Sequence, residues 1–197
     1  MYIKLATFFI LSIFLIGCGS TNTTSSSSKS STVKQTDNPL HLYINEVLAS
    51  NKFIIKDPDY GEYSDYIELY NNSDKTINLT NFSLKEKEDN LIWKFPENTK
   101  ITSHNYLLIW ADKKNNNLHT NFKLNAKSGG TLVLYDSNNK QIEQLHFDTQ
   151  QNDISFGRNS KMQLTRMKPT PSAKNLPLEK ITSLYLSQNH PYILANY

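Results

Sequence analysis

The chain has 197 residues, a length that fits one domain of ordinary size with short additional segments. Hydrophobic residues make up 38% and aromatic residues 11%, so the composition is too polar for a protein with several membrane spans and too aromatic for a disordered one. The net charge of +3 is small and evenly spread, which gives no indication of a nucleic-acid partner. A single cysteine excludes a disulfide framework and a zinc site built from cysteines.

The first residues have the pattern of a secretory signal. One positive charge, Lys4, precedes an apolar run over residues 5–16, which is shorter than the roughly 20 residues that a membrane-spanning helix needs. The run leads into Gly17-Cys18, which resembles a bacterial lipobox, the motif in which the cysteine is lipidated and becomes the mature N-terminus. We therefore predict a signal peptide over residues 1–17 and membrane attachment through lipidated Cys18. The alternative is an ordinary signal peptide, or an uncleaved anchor, with an incidental cysteine.

The next segment, residues 18–39, has the composition of a flexible tether. Seven serines and five threonines lie among the 21 residues from 19 to 39, with Val33 as the single aliphatic side chain. Such a segment buries too little apolar surface to offset the entropy of ordering it, and as a coil it spans on the order of 25 Å. We expect it to hold the domain off a membrane of the cell envelope. Gly19, in place of Asp, is compatible with the outer membrane if the source is Gram-negative.

From residue 40 the sequence changes to short apolar-alternating runs separated by polar clusters. The alternation is typical of half-buried strands, as where Glu68 separates Ile67 from Leu69. The segment Tyr106–Trp110 is apolar almost throughout, which predicts a central strand buried on both faces. The predicted strands are Leu42–Leu48, Tyr66–Tyr70, Thr76–Leu79, Phe82–Leu84, Leu91–Phe95, Tyr106–Ala111, Asn121–Leu124, Thr131–Asp136 and Gln141–Phe147.

About nine strands spaced roughly ten residues apart, without a long helical period, predict an antiparallel β-sandwich. Residues Ser137–Lys140 form a predicted hairpin turn, because asparagine tolerates the positive φ of such turns. Gly129 and Gly130 suit a tight entry into the following strand. We expect Trp93 and Trp110 to be core residues, since each lies in an apolar run.

The motifs of this region follow a recognisable order along residues 42–172. They are Ile44–Asn51, Tyr63–Asn71, Ile77–Leu79, Phe82–Leu84, Trp93–Pro96, Tyr106–Ala111, Leu118–Leu124, Ser155–Arg158 and Pro169–Pro171. In this order and spacing they resemble the lamin-tail domain as it occurs in bacterial secreted and surface proteins. The resemblance implies an immunoglobulin-like sandwich and suggests a binding role without naming a ligand. Animal lamin tails are interaction modules, and bacterial ones accompany secreted enzymes or other surface modules.

The sequence contains no motif typical of catalysis. The five histidines lack the spacing of metal ligands, and there is no GxSxG elbow and no glycine-rich phosphate loop. Basic clusters such as Lys113-Lys114 are typical of solvated surface, so we expect no nucleic-acid partner. Phe156–Arg158 is expected to close the last strand, with Arg158 paired to a carboxylate. We predict that the protein is not an enzyme and has no cofactor apart from a possible calcium ion.

One acidic segment is a candidate ligand site. Residues 57–68 contain five carboxylates and three tyrosines, but Gly61 and Glu62 occupy positions where an EF-hand loop needs an oxygen ligand and a glycine. A looser Ca²⁺ site is one hypothesis, and a solvated acidic loop is the other. Asn45-Glu46 and the carboxylates at 65 and 68 are otherwise expected to cap turns and to hydrogen-bond to the backbone near strand ends. The candidates are Asp57, Asp59, Glu62, Asp65 and Glu68 for the ion, with Tyr60 and Tyr63 for stacking on a sugar or contacting a protein.

Beyond Pro171 the motif pattern ends, and residues 173–197 form a C-terminal extension with a possible short helix over Leu178–Leu186 and a strand over 192–197. The lamin-tail-like sandwich therefore occupies residues 40–172. The predicted function is a membrane-anchored lipoprotein that displays a non-catalytic binding or scaffolding module for an envelope protein or polysaccharide. The alternatives are a Ca²⁺-dependent or carbohydrate-binding accessory module and, third, a hydrolase.

Overall fold

Twelve short strands and no helix make up residues 38–178, the part of the chain that the computed structural model describes. The strands are β1 (Leu42–Leu48), β2 (Tyr66–Asn71), β3 (Ile77–Asn78), β4 (Ser83–Glu86), β5 (Leu91–Lys94), β6 (Lys100–Ile101), β7 (Tyr106–Trp110), β8 (Gly130–Tyr135), β9 (Gln141–Phe147), β10 (Ser155–Arg158), β11 (Leu164–Lys168) and β12 (Leu176–Pro177). None of these residues belongs to a helix long and apolar enough to cross a membrane. The predicted signal peptide, Cys18, nearly all of the tether and the elements predicted beyond residue 178 lie outside the described residues.

The strands form two main sheets and a small ribbon. Six strands pair in the order β12-β11-β10-β1-β2-β7, four pair in the order β5-β4-β8-β9, and β3 pairs with β6. Every pairing between these strands is antiparallel. Apolar side chains from both main sheets share one core, so the prediction of an antiparallel β-sandwich is confirmed.

The core lies between the facing sides of the two main sheets. Alternate residues of each strand reach it, because side chains of a strand point to opposite faces in turn. Trp93 belongs to this core, whereas Trp110 is buried in a second cluster with Leu48 and Tyr66 on the outer face of the six-stranded sheet. Both tryptophans are therefore core residues, as predicted. The main core includes Leu42, Ile44, Ile67, Leu69 and Ile109 from one sheet and Leu84, Leu132, Leu134, Ile142 and Leu145 from the other.

The predicted place of β7 in its sheet is wrong. The sequence predicts a central strand buried on both faces, but β7 is an edge strand, and Tyr106, Leu107 and Leu108 are only half-buried. Its apolar character has another cause: Leu108 and Trp110 pack in the second cluster, while Ile109 reaches the main core. The apolar run of β7 therefore shows that both faces of this strand pack against apolar side chains, and it does not show that the strand lies in the middle of its sheet.

Eight of the nine predicted strands form, and β1 and β9 match the prediction at both ends. The ninth, Asn121–Leu124, is a loop. Thr120 Oγ1 donates a hydrogen bond to Phe122 O (2.7 Å), which closes a local turn, and one isolated bridge joins Lys123 to Asp112. The sequence pattern does not predict β6, β11 or β12, two of which have only two residues and therefore no visible alternation. Phe156–Arg158 lies at the end of β10, as expected for a strand end, but two further strands follow, so its expected place in the last strand is wrong.

Polar residues interrupt β1 in its middle and not near its end. The pairing of β1 with β2 shifts between Ile44 and Glu46, which is a β-bulge. The expected position of Asn45 and Glu46 near a strand end is therefore wrong, but the expected hydrogen bonding to the backbone forms, since Thr170 N–H donates to the Glu46 carboxylate (3.1 Å). The bulge buries both side chains, and Glu46 is fully buried.

The turn before β9 forms as predicted. Asp136 N–H donates to Lys140 O (2.9 Å), and Asn139 has a φ of 60°. Before β8, Gly129 has a φ of 73°, and a Cβ at that position would lie 2.2 Å from Phe147 O. Glycine is required there for both reasons.

Candidate functional site

Three loops meet at one end of the sandwich, opposite to the end at which the chain enters β1. They emerge together because Leu48 at the end of β1 pairs with Tyr66 at the start of β2, which pairs with Trp110 at the end of β7. The β9–β10 loop joins them through a hydrogen bond from Asp153 N–H to Ser50 O (2.9 Å). We call this the loop end; it comprises residues 49–65, 111–123 and 148–154.

The first part of the β1–β2 loop is fixed by two polar side chains. Asn51 is buried, its Nδ2 donates to Ile55 O (2.7 Å), and its Oδ1 accepts from Ile55 N–H (3.4 Å). Asp153, from the β9–β10 loop, accepts hydrogen bonds from Lys52 N–H (2.7 Å) and Phe53 N–H (3.1 Å). These bonds replace the partners that strand pairing would otherwise supply to the backbone.

Asp57 organises the second part of this loop. It is buried, and its carboxylate accepts hydrogen bonds from Tyr60 N–H (2.6 Å), Glu62 N–H (3.3 Å) and Ser64 Oγ (3.1 Å). Gly61 permits the tight turn with a φ of 69°, and its N–H donates to Asp57 O (3.0 Å). Asp57 is therefore a turn cap of the loop.

A buried histidine joins the two larger loops of the loop end. His119 is fully buried, its Nδ1 lies 2.7 Å from Asp112 Oδ2, and its Nε2 lies 3.1 Å from Asp59 Oδ2. The edge of its ring contacts Tyr60, with ring centres 5.0 Å apart, and Trp110 lies roughly parallel at 6.5 Å. Both ring nitrogens therefore face carboxylates from different loops.

Lys114 completes this charged network. Its Nζ lies 2.6 Å from Glu62 Oε2, 3.1 Å from Asp112 Oδ2 and 4.3 Å from the centre of the Tyr60 ring. Burial raises the pKa of Asp112, but hydrogen bonds from His119 and Lys114 outweigh this effect and hold that pKa below its ordinary value. The hydrogen bond to Glu62 raises the pKa of Lys114.

Sequence reasoning misses this network, because its members are far apart in the chain. His119 is 60 residues away from Asp59 along the chain, and Lys114 is 52 residues away from Glu62. A motif such as HExxH places metal ligands at fixed spacing along one helix, so it does not indicate a histidine that contacts residues of another loop. The one signal in the sequence that His119 is buried is its position between Leu118 and Thr120, in the segment Leu118–Leu124 of the lamin-tail resemblance.

The network is built to hold loops together. Ser64 Oγ donates to Asp57 Oδ2 (3.1 Å) and lies 3.4 Å from Asp112 Oδ2, so it bonds to carboxylates and not to the His119 ring. A nucleophile activated by a histidine base needs a hydrogen bond between the two. The arrangement therefore stabilises the loops without forming such a pair.

A polar cavity of about 240 Å³ lies beside the network. Asp65, Lys52 and Lys123 contribute to its walls. Burial raises the pKa of Asp65, while a hydrogen bond from Asn51 N–H and the charges of the two lysines lower it. The volume is smaller than the roughly 300 Å³ at which small-molecule clefts begin.

The structure does not bring the five predicted cation ligands together. Within residues 38–178, no group of three or more His, Cys, Asp or Glu side chains is placed to hold a metal ion. The Ca²⁺ site stays a prediction that a titration in solution tests. The carboxylates instead have separate places: Asp57 caps its turn, Asp59 contacts His119, Glu62 contacts Lys114, Asp65 lines the cavity, and Glu68 lies on the outer face of β2.

The two tyrosines predicted to face a ligand lie on the surface of the loop end. Tyr60 is 45% exposed and Tyr63 is 42% exposed. Tyr63 contacts Phe53 edge-on, with ring centres 6.1 Å apart, and Lys56 Nζ lies 5.3 Å from its centre. Their role in binding stays a prediction.

The model of the family described as Lamin Tail Domain matches residues 35–149, which is more than half of the chain. The chain belongs to the lamin tail domain family. The immunoglobulin-like sandwich implied by the resemblance is therefore the fold of this domain, and the non-catalytic character of the family fits the prediction that the chain is not an enzyme. No curated protein matches the chain.

Beyond the residues matched to the lamin tail domain, a strap crosses the outer face of the six-stranded sheet. The strap is the β11–β12 connection, residues 169–175, and it covers Glu46 and Glu68, which lie opposite each other in the pairing of β1 with β2. Thr170 donates to Glu46 through its N–H (3.1 Å) and its Oγ1 (3.0 Å), and Ser172 N–H donates to Glu68. Both carboxylates are fully buried.

Neutral donors surround this carboxylate pair. Tyr66 O–H donates to Glu46 Oε1 (2.9 Å), and Asn45 Nδ2 donates to Glu68 Oε1 (2.8 Å). Burial raises the pKa of Glu68 to about 8, although hydrogen bonds from Asn45 and Ser172 act against the rise. Glu68 is close to the acidic loop in sequence, but the alternation of β2 turns it to the outer face, under the strap.

A groove of about 420 Å³ opens beside the strap on the lamin tail domain. Tyr70 and Tyr106 of neighbouring strands stack in it, with ring centres 4.7 Å apart. Arg158 at its side pairs with Glu143, with Nη2 and Oε1 2.9 Å apart, which confirms the predicted pairing with a carboxylate. Four asparagines also line the groove: Asn45, Asn72, Asn159 and Asn175.

Proposed function

We propose that this protein is a lipoprotein of the bacterial cell envelope, anchored to a membrane through Cys18, that displays a lamin tail domain as a non-catalytic binding or scaffolding module. The observation that carries the proposal is the loop end, where side chains fix the loops while large apolar side chains stay exposed. A fixed loop loses little conformational entropy when a partner binds. The lipobox and the tether support the anchoring part of the proposal.

The two ends of the sandwich suit display from a membrane. The tether leads toward Leu42, and the loop end lies beyond the other end of this seven-residue strand, about 23 Å away at 3.3 Å per residue. The tether adds a span on the order of 25 Å. The tether and the length of β1 would then separate the loop end from the proposed anchor along the chain, which leaves the loop end accessible to another protein or polysaccharide of the envelope.

The polar groups of the loop end support binding over hydrolysis. Both ring nitrogens of His119 face carboxylates, and Ser64 donates to Asp57. The groups that a hydrolase uses to activate water or a nucleophile are here engaged in holding the loops.

Replacement of the lipidated residue tests the anchoring. Cells that express the full chain are labelled with radioactive palmitate and fractionated. We expect label on the wild-type chain and on a Ser28→Ala control, and no label on Cys18→Ala, which should also leave the membrane fraction or show altered processing. Recovery of Cys18→Ala in membranes by the same labelled anchor would refute the proposal.

Carbohydrate binding at the groove is a second candidate function. The stacked pair of Tyr70 and Tyr106 offers an apolar aromatic surface, and the surrounding amides offer hydrogen bonds to hydroxyl groups. Titration of the protein with neutral and acidic oligosaccharides tests it. Binding that weakens at least about tenfold in Tyr106→Ala, and not in Ile92→Ala, would support this function; absence of binding at millimolar sugar would reject it.

A further inference from the structure

Half of the large apolar side chains that residues 38–178 expose lie in a single loop. Of eight such side chains, four belong to the β1–β2 loop, and Phe53 is 80% exposed. Single exposed apolar residues are normal on a protein surface, but a contiguous group marks an interaction site. The four are Phe53, Ile54, Tyr60 and Tyr63. We call residues 52–56 together with Tyr63 the apolar tip.

The backbone of the apolar tip is fixed although its side chains are exposed. Asn51 bonds both backbone groups of Ile55, and Asp153 holds the N–H groups of Lys52 and Phe53 from another loop. Fixing the backbone before binding lowers the entropy lost on association. Phe53 is thereby presented as a rigid aromatic anchor, the kind of residue enriched at the centre of protein interfaces.

Two lysines flank the exposed apolar side chains of the apolar tip. They are Lys52 and Lys56, and neither takes part in an ion pair within residues 38–178. The carboxylates around the tip are already engaged. Asp59 contacts His119 and Glu62 contacts Lys114. Asp153 accepts from the N–H groups of Lys52 and Phe53, and Asp65 accepts from Asn51 N–H. A partner therefore meets an apolar centre between two ammonium groups.

We propose that the apolar tip is the interaction surface of this domain, and that its partner is a protein surface with an apolar pocket edged by carboxylates. This inference rests on the proposed function, because it names the chemistry of the partner. The pocket takes Phe53 and Ile54, and the carboxylates pair with Lys52 and Lys56 at the rim. An anionic membrane offers similar chemistry, but Asn51 and Asp153 fix the backbone of the tip, and a fixed aromatic anchor suits a pocket of defined shape, which a protein partner offers and a bilayer does not.

Photo-crosslinking in intact cells tests the position of the surface. The photoreactive residue p-benzoylphenylalanine replaces Phe53 in the full chain or, as a matched control, Ile92, which is 52% exposed on the other main sheet. We expect position 53 to give a discrete adduct with a protein and position 92 to give none. A lipid adduct at position 53, or no adduct there in chains recovered from membranes, would overturn the inference and leave the anchoring intact.

Charge reversal tests the carboxylate rim. We expect the double change Lys52→Glu with Lys56→Glu to lower the yield of the adduct at least about tenfold, because like charges would then meet at the rim. The change of both lysines to arginine should preserve it. An equal yield after charge reversal would overturn the proposed chemistry. An adduct formed by chains that fractionate away from membranes would support the inference and contradict the anchoring.

The captured protein, once purified, provides a measurement of affinity. It should bind the wild-type chain and Ile92→Ser equally, and Phe53→Ser at least about tenfold more weakly. The affinity should fall as salt concentration rises, because salt screens the pairs at the rim. Equal binding by Phe53→Ser would overturn the inference.

Discussion

Carboxylates are buried in two regions of this domain and are stabilised in opposite ways. Burial raises the pKa of both Asp112 and Glu68. At the loop end, hydrogen bonds from His119 and Lys114 more than reverse this effect for Asp112, whereas under the strap Glu68 meets neutral donors and the charge of Glu46, and its pKa stays at about 8. Glu68 is the more deeply buried of the two acids, and the Lys114 ammonium reaches Asp112 and not Glu68, so burial and the donors together separate the two pKa values.

Trp110 connects the two regions, and its loss should have the largest effect. Its ring centre lies 6.3 Å from that of Tyr66, which bonds to Glu46, and 6.5 Å from that of His119. We expect Trp110→Ala to lower the free energy of unfolding by about 3–5 kcal/mol, the usual cost of deleting a large buried aromatic side chain. Urea denaturation measures it, with the exposed Ile92→Ala as the control. A midpoint equal to that of the wild type would contradict burial of Trp110.

Glu68 should make the domain less stable as the pH rises. Its pKa is raised from 4.5 to about 8 in the folded state, so its contribution to stability is present below pH 4.5 and is lost as the pH rises through 8. At about 1.4 kcal/mol for each unit of pKa, this shift corresponds to a loss of up to about 5 kcal/mol across this range. Unfolding measured by urea at several pH values should show this fall in the wild type and a much smaller one in Glu68→Gln. Equal slopes would exclude Glu68 as the titrating group.

The loop end should respond to the loss of its histidine. His119→Ala leaves the carboxylates of Asp112 and Asp59 without that partner, at a cost of about 1–3 kcal/mol. Because the pKa of Asp112 is lowered, its contribution is lost as the pH falls through its folded value, and this acid dependence should shrink in the variant. His104→Ala is the control, since that histidine pairs with Asp74 on the surface, where such pairs contribute little. An equal loss of stability in both variants would argue against the network.

Calcium should have the smallest effect. A specific ion at a hundredfold over its dissociation constant would add ~2.7 kcal/mol, equivalent to roughly 5–10 °C in melting temperature for a domain of this size. We expect a shift under about 2 °C, equal for Ca²⁺ and Mg²⁺, since His119 already engages Asp59 and Lys114 already engages Glu62. A large shift selective for Ca²⁺, lost in Asp59→Asn, would establish the metal-dependent module instead.

Alternation of apolar residues was sufficient to predict most of the sandwich. It located β1 and β9 at both ends, because one face of each is buried in the core over the whole strand. It failed for β7, where the apolar residues of both faces are buried by different clusters, and for Asn121–Leu124, where side-chain bonds close a turn.

The candidate site was harder to predict, because proximity in sequence is a poor guide to proximity in a β-sandwich. Glu68 is only six residues from Glu62 in sequence, yet Glu62 lies at the loop end and Glu68 lies under the strap on the outer face of β2. Asp112, Lys114 and His119 enter the loop end from a different part of the chain, and no local pattern marks their contacts. The alternation of Ile67, Glu68 and Leu69 was the available signal that Glu68 faces away from the core.

The segment that carries His119 also protects an exposed strand edge. It runs beside the end of β7, where Trp110 N–H donates to Leu118 O and Thr120 N–H donates to Trp110 O, both at 2.8 Å. An apolar edge strand with free backbone groups can pair with the edge of another copy and begin aggregation. The segment that carries His119 takes up these backbone groups at the end of β7 and so blocks edge-to-edge pairing of two copies at that point.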